Sequence, residues 1–435
     1  MKIHSLRLVT LALVPVAFLA AQPADDTQLK QVIIFGRHGV RSQHTSYSIL
    51  NSFSAQPYPF FSSSNGDLTN NGKVNETILG SYYRLWLTKE GLLTGNDSAD
   101  ADFVYFRATA TPLIIDTARA FAAGMLPQAN VFVNTQQGSD PLFDPLGAGV
   151  ARLNQRMAIA AVQGRLGGNA QSLVSAYASE LALTRSILFG YAAGATPVPA
   201  TPAGKVDVTA IPFDVTDGQP GLPVGLGGLA TVNVAIDPFI FEYADGLTAS
   251  EVGWGQLTAG GISQITRLLN VALDLEYRTP YLARVQSSNA ASHVVRSMVQ
   301  AATGNAMTGS VGNPSTKVIV LMAANTNVTG LAGLLNLDWI VPGYVADESA
   351  PGGVLMFELR QSQSTGEYIV RASYAVQTMD QLRNRTVLTL NSRPAIAPVF
   401  IPGCSMRNAT FDCPLASFVE VAEHAIDPES ADLVN

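Results

Sequence analysis

The chain has 435 residues, 47 % of them apolar and 14 % charged, with a net charge of −7. That composition suits a compact globular protein with one large core or two domains, and it excludes a disordered chain. The acidic balance argues against a general nucleic-acid or anionic-membrane surface, so an anionic partner would have to be held by a local cluster of cations.

Residues 1–21 read as a signal peptide. Lys2 and Arg7 give a positive start, an apolar run extends from Leu8 to Ala21, and Ala20-Ala21-Gln22 offers small residues for cleavage. A retained membrane anchor is the competing reading, but the run is short for a span of about 20 residues. Export implies a periplasmic or secreted protein with no membrane contact after cleavage.

Residues 31–35 form a β-branched run closed by Gly36, the pattern of a buried strand. Residues 102–106, 131–133 and 317–322 have the same character. Thr111-Pro112 supplies an N-cap and first-turn pair for a helix, with Ile114, Ile115, Ala118 and Phe121 at helical spacing up to Gly124. Strands alternating with helices imply an α/β fold with a mostly parallel central sheet flanked by helices. Residues 354–359 and 368–375, joined across Ser364-Thr365-Gly366, read as a late antiparallel hairpin.

The middle of the chain differs. Residues 151–188 are rich in Ala, Leu and Gln and mostly helical in pattern, and residues 194–229 are dense in Pro and Gly. Helical pattern resumes over 236–277 and 290–302. The expected organisation is therefore an α/β domain begun by residues 27–150, an inserted helical domain over 151–305, and the second part of the α/β domain over 306–435.

The chemistry concentrates after the first strand, in Arg37-His38-Gly39-Val40-Arg41. In an open α/β sheet, ligands bind beyond the carboxyl ends of the strands. Two guanidiniums four residues apart can present several donors to one tetrahedral anion. His38 between them would sit beside that anion, and a neutral imidazole can attack phosphorus. The alternative is an Arg-rich loop paired with surface carboxylates. Arg107 closes the next strand and is expected either in the same anion pocket or on the surface. Cys404 and Cys413 most simply form a local disulfide in an exported chain. Five His with no close pairs make a zinc site improbable, and neither metal nor cofactor is expected.

These residues carry a resemblance. A strand followed by RHGVR resembles the histidine acid phosphatases, the high-molecular-weight branch of the RHG superfamily, in the style of bacterial phytases and glucose-1-phosphatases. Further segments in order support it: 120–125, 140–145, Gly253-Trp254-Gly255, Thr279-Pro280, Pro351-Gly352-Gly353 and Gly403-Cys404 leading to Cys413. The resemblance implies an inserted helical domain over an α/β domain, with the active site between them. It also implies metal-free phosphomonoester hydrolysis through a phosphohistidine on His38, with Arg37 and Arg41 binding phosphate. Asp237 falls where relatives place a substrate-pocket carboxylate.

The sequence also departs from that pattern. The third arginine of the family falls on Leu113 or Ile115, and the late His-Asp pair reads Ala324-Asn325. Asn325 keeps a hydrogen-bonding group at a phosphate-binding position but has no proton to donate, and Ala324 leaves an apolar wall. Loss of a positioned acid typically costs about 10²–10⁴ in rate. Three functions follow: a histidine-type phosphatase with an incomplete site, a non-catalytic protein that binds a phosphorylated or anionic small molecule, or a different reaction on the same scaffold. A monomer is expected.

Overall fold

The computed structural model describes residues 25–219 and 221–432, so the expected signal peptide lies outside the described residues. The strands are β1 (Thr27–Arg37), β2 (Val104–Ala108), β3 (Val133–Asn134), β4 (Thr216–Asp217), β5 (Val224–Gly225), β6 (Val318–Ala323), β7 (Val354–Ser362), β8 (Tyr368–Val376), β9 (Ala395–Val399) and β10 (Cys413–Pro414). An eight-stranded sheet runs in the order β10-β8-β7-β1-β6-β2-β3, with β9 also on β8, while β4 and β5 form a separate ribbon. Its parallel part is β1-β6-β2-β3. Beyond β1 the strands β7 to β10 pair antiparallel, and they include the expected hairpin β7-β8.

Burial on both faces explains why β1 and β6 read as continuous apolar runs rather than alternating ones. Side chains nevertheless alternate between two cores. Ile33, Phe35, Ile319 and Leu321 join one core with Ile236, Phe239 and Phe241 of the helix Gly227–Ala244 and Leu282 of the helix Pro280–Thr303. Val32, Ile34, Val318 and Val320 join the other with Leu79 of the helix Asn70–Lys89 and Phe121 of the helix Pro112–Met125. The helices between Gln155 and Thr303 thus rest on one face of the sheet, and the two early helices on the opposite face.

Thr111 and Pro112 open the helix Pro112–Met125 as expected. The helix Asn70–Lys89 has no counterpart in the apolar pattern. Its buried face includes Gly72, Asn75, Glu76 and Gly80, which carry no apolar periodicity. Among its described residues, the Pro- and Gly-rich stretch 194–229 holds a short 3₁₀ turn, Val208–Ala210, the β4-β5 ribbon and the start of the helix Gly227–Ala244. Cys404 and Cys413 are disulfide-bonded, which ties the 404–412 loop to β10 at the sheet edge.

Candidate active site

Three parallel strands end together. Arg37 of β1 is in register with Ala323 of β6, and Ala108 of β2 with Met322. The chain then leaves β1 as a loop whose backbone groups are nearly all bonded. The Arg37 N–H donates to Gly353 O at 2.9 Å, the His38 N–H to Ala323 O at 2.9 Å, and the Gly352 N–H to His38 O at 3.0 Å. Val40 O accepts the Thr69 N–H at 3.0 Å, and Thr117 Oγ1 accepts the Gly39 N–H at 3.2 Å. A Cβ on Gly39 would lie 2.6 Å from Oε1 of Glu76, so the loop needs glycine to pass so close to the helix beneath it. Such bonding preorganises the side chains it carries.

Arg37, His38 and Arg41 are 4 %, 5 % and 5 % exposed, so all three face the interior rather than bulk water. His38 Nδ1 lies 2.9 Å from Gly39 O. A carbonyl only accepts, so Nδ1 must carry the proton and Nε2 keeps its lone pair. Burial, followed by the charges of Arg37 and Arg41, holds the imidazole pKa well below its usual value, so the ring is neutral. The site therefore contains an unprotonated imidazole nitrogen beside two cations.

The two arginines are held differently. Arg37 donates from Nη1 to Ser349 O at 2.6 Å and makes no carboxylate ion pair among the described residues. Burial, then Arg41, lowers its pKa to about 10, which still leaves it charged near neutrality. Arg41 donates from Nη2 to Asp237 at 2.8 Å and from Nη1 to Ser42 O at 2.9 Å. The Phe241 ring packs 4.1 Å from the Arg41 guanidinium carbon and 6.5 Å from the His38 ring. Asp237 and Phe241 stand four residues apart on the helix Gly227–Ala244, so they share one face over the loop. The Nε atoms of both arginines are buried without a hydrogen-bond partner. Glu348 lies behind Arg37, and burial pushes its pKa up to about 7.

The remaining expected positions follow. Ala324 caps the helix Asn325–Leu334, and Asn325 is its first residue; both are half-buried directly after β6. Leu113 is buried in the core that contains Phe121, and Ile115 packs against the same core. Arg107 does not supply the missing cation. Its Nε and Nη2 form a fork on Asp140 at 2.9 and 2.7 Å, and Nη2 also reaches Gln136 at 3.2 Å. Asp140 in turn accepts the Leu142 N–H at 3.0 Å, so this pair anchors the loop after β3.

Residues 28–171 match the histidine phosphatase superfamily (branch 2). Phytase AppA of Escherichia coli (strain K12) is 27 % identical over 413 residues, covering 94 % of both chains. Glucose-1-phosphatase of Salmonella typhimurium is 25 % identical over 413 residues, covering 92 % of both. The fold matches Hafnia alvei phytase in complex with tartrate at a TM-score of 0.83 and 28 % identity, over 94 % of this chain and 99 % of that one. The superfamily match covers residues 28–171, and the likeness in fold to the Hafnia alvei phytase extends over the rest of the chain. The same Hafnia phytase in complex with myo-inositol hexakis sulphate gives a TM-score of 0.81 at 27 % identity, over 94 % of this chain and 99 % of that one.

Within this fold, RHGVR and Asp237 come together although 196 positions separate Arg41 from Asp237. Phe241 and Glu348 were not evident as neighbours of the loop. The helical spacing from Asp237 is the one sequence signal for Phe241. For Glu348 there is only its position just before Pro351-Gly352-Gly353, the segment that bonds the His38 peptide.

Proposed function

We propose that the protein is a phosphomonoester hydrolase that works through a phosphohistidine on His38. The observation that carries this reading is the His38 ring itself, neutral, with Nδ1 bonded to Gly39 O and Nε2 free beside Arg37 and Arg41. In the first step Nε2 forms a bond to phosphorus while the bond to the ester oxygen breaks, and the guanidiniums neutralise the transferring group. Water then attacks phosphorus, releases phosphate and restores the imidazole.

The leaving oxygen needs a proton unless it is a stable anion. An amide cannot supply one, so Asn325 restricts turnover to esters with good leaving groups, such as aryl phosphates, or to substrates that carry their own acidic proton. A second reading, capture of a phosphorylated or anionic small molecule without turnover, is favoured by the same Asn325 together with the pairing of Arg41 to Asp237. The similar Hafnia alvei phytase, in complexes with tartrate and with myo-inositol hexakis sulphate, supports an anionic ligand. We further propose a monomer, exported on the support of the leader-like residues 1–21 and the Cys404–Cys413 disulfide. Residues 151–305 would be its inserted helical domain, supported by the run of helices between Gln155 and Thr303.

Phosphate release from p-nitrophenyl phosphate at pH 5 to 7 tests the hydrolytic reading. It is expected in the wild type and absent in His38→Ala. No release above that variant, combined with saturable phosphate binding, would favour the binding reading instead.

A further inference from the structure

The charge of the anion site does not match that of a dianion. Arg37 and Arg41 bring two positive charges. Asp237 sits 2.8 Å from Arg41 and cancels one of them from within the protein. His38 is neutral, and Leu113, Ala324 and Asn325 bring no charge. One guanidinium charge, that of Arg37, remains uncompensated. The Nε donors of Arg37 and Arg41 are buried without a partner, so protein groups do not fully satisfy either guanidinium. The Phe241 ring covers Arg41 from the same helix face as Asp237, which shields the Arg41 side of the pair while the Asp237 side chain stays 21 % exposed.

Resting on the reading of RHGVR as an anion site, we infer that Asp237 is the resident counter-anion of Arg41 and that the site selects a singly charged tetrahedral anion over a dianion. Burying charge without a partner is costly, and the cost grows as water is excluded. A monoanion on Arg37 closes the balance at zero. A dianion leaves one negative charge uncompensated beside Asp237, unless Asp237 is expelled from Arg41. The ligand class that follows is a singly charged ester of a tetrahedral oxyacid, whether a phosphodiester, a sulfate ester or the monoanion of a phosphomonoester. A polyphosphorylated ring is disfavoured.

Methyl sulfate and sulfate separate these cases because both are tetrahedral and their charges do not change across the working pH range. The groups facing Asp237 are Arg41, Arg37 and His44. His44 is held down to about 4 by partial burial and then by Arg41, so it is largely neutral at pH 5. Glu348 is protonated there. Titration calorimetry of the full chain at pH 5 should show methyl sulfate bound about tenfold or more tighter than sulfate. Asp237→Asn, which keeps the shape and an acceptor for Arg41, should reverse that order. Wild-type preference for sulfate overturns the inference, as does an unchanged ratio in Asp237→Asn. The wild-type comparison stands even if that variant folds poorly. Arg37→Ala should abolish binding of both anions. Binding that survives it, or no binding of either anion by the wild type, overturns the anion-site reading itself, whereas loss in Arg37→Ala with an unaltered ratio in Asp237→Asn overturns only the role of Asp237.

Discussion

Restoring a proton donor at position 325 is the perturbation with the most informative magnitude. Asn325 is the first residue of a helix that begins where β6 ends, and the preceding Ala323 carbonyl accepts the His38 N–H. Asn325→Asp would place a carboxyl beside the His38 loop, and Ala324→His would add a donor next to it. A positioned general acid is worth about 10²–10⁴ in rate. One added preorganised donor is worth about 10²–10³. Groups acting on one transition state do not multiply, so about 10³–10⁴ is the expected gain for the double variant on an alkyl ester such as glycerol 2-phosphate. On p-nitrophenyl phosphate, whose leaving group departs as a stable anion, the acid should add less than about tenfold. The helix N-terminus and the two arginines favour the ionised form of the introduced carboxyl and lower its pKa. The gain therefore belongs to acidic pH and fades as pH rises through that pKa. The assay is kcat/KM for both esters across pH 4 to 7 in the wild type, each single variant and the double variant. Equal gains on both esters would refute a missing acid as the defect. No gain on either ester with anion binding intact would show that more than these two positions has changed.

Glu76 supplies a stability prediction. Its carboxyl oxygens have no hydrogen-bond partner, and burial raises its pKa from the usual 4.5 to about 8. The folded state therefore holds a proton that the unfolded chain releases, and stability is full below 4.5 and lost as pH rises through about 8. Glu76→Gln should remove up to about 1.4 kcal/mol per pH unit of that loss, read by urea unfolding at pH 5 and 7.5; identical pH dependence in both proteins would refute the assignment. Arg107→Ala should cost about 3 kcal/mol by leaving buried Asp140 unpaired, without weakening phosphate binding. Weaker phosphate binding with unchanged stability would instead put Arg107 in the anion site.

The features legible in the sequence are those set by local chemistry. Residues 31–35 and 317–322 are β-branched because both faces of β1 and β6 are covered, and that run located the strand ends and hence the RHGVR loop. The structure extends β1 back to Thr27 through pairing with β7, which nothing in Thr27 to Lys30 announces. The helix Asn70–Lys89 was hidden because the first half of its inner face packs through Gly72, Asn75 and Glu76, and the apolar part, Leu79, Tyr82, Tyr83 and Leu87, is confined to its second half. At the site, Arg37, His38 and Arg41 were readable from a five-residue motif, and Asp237 only through the family resemblance. The Arg107–Asp140 fork and the Phe241 cover depend on how distant segments dock. Arg107 offered two equal destinations in sequence, and loop geometry after β3 decided between them.

The central claim is that His38 is a nucleophile. Rapid mixing with a radiolabelled aryl phosphate, followed by denaturation in alkali, tests it directly, because phosphohistidine survives alkali and is lost in acid. Alkali-stable label is expected on the peptide containing His38, and none in His38→Ala. Phosphate release without such label, or label that persists in His38→Ala, would contradict it.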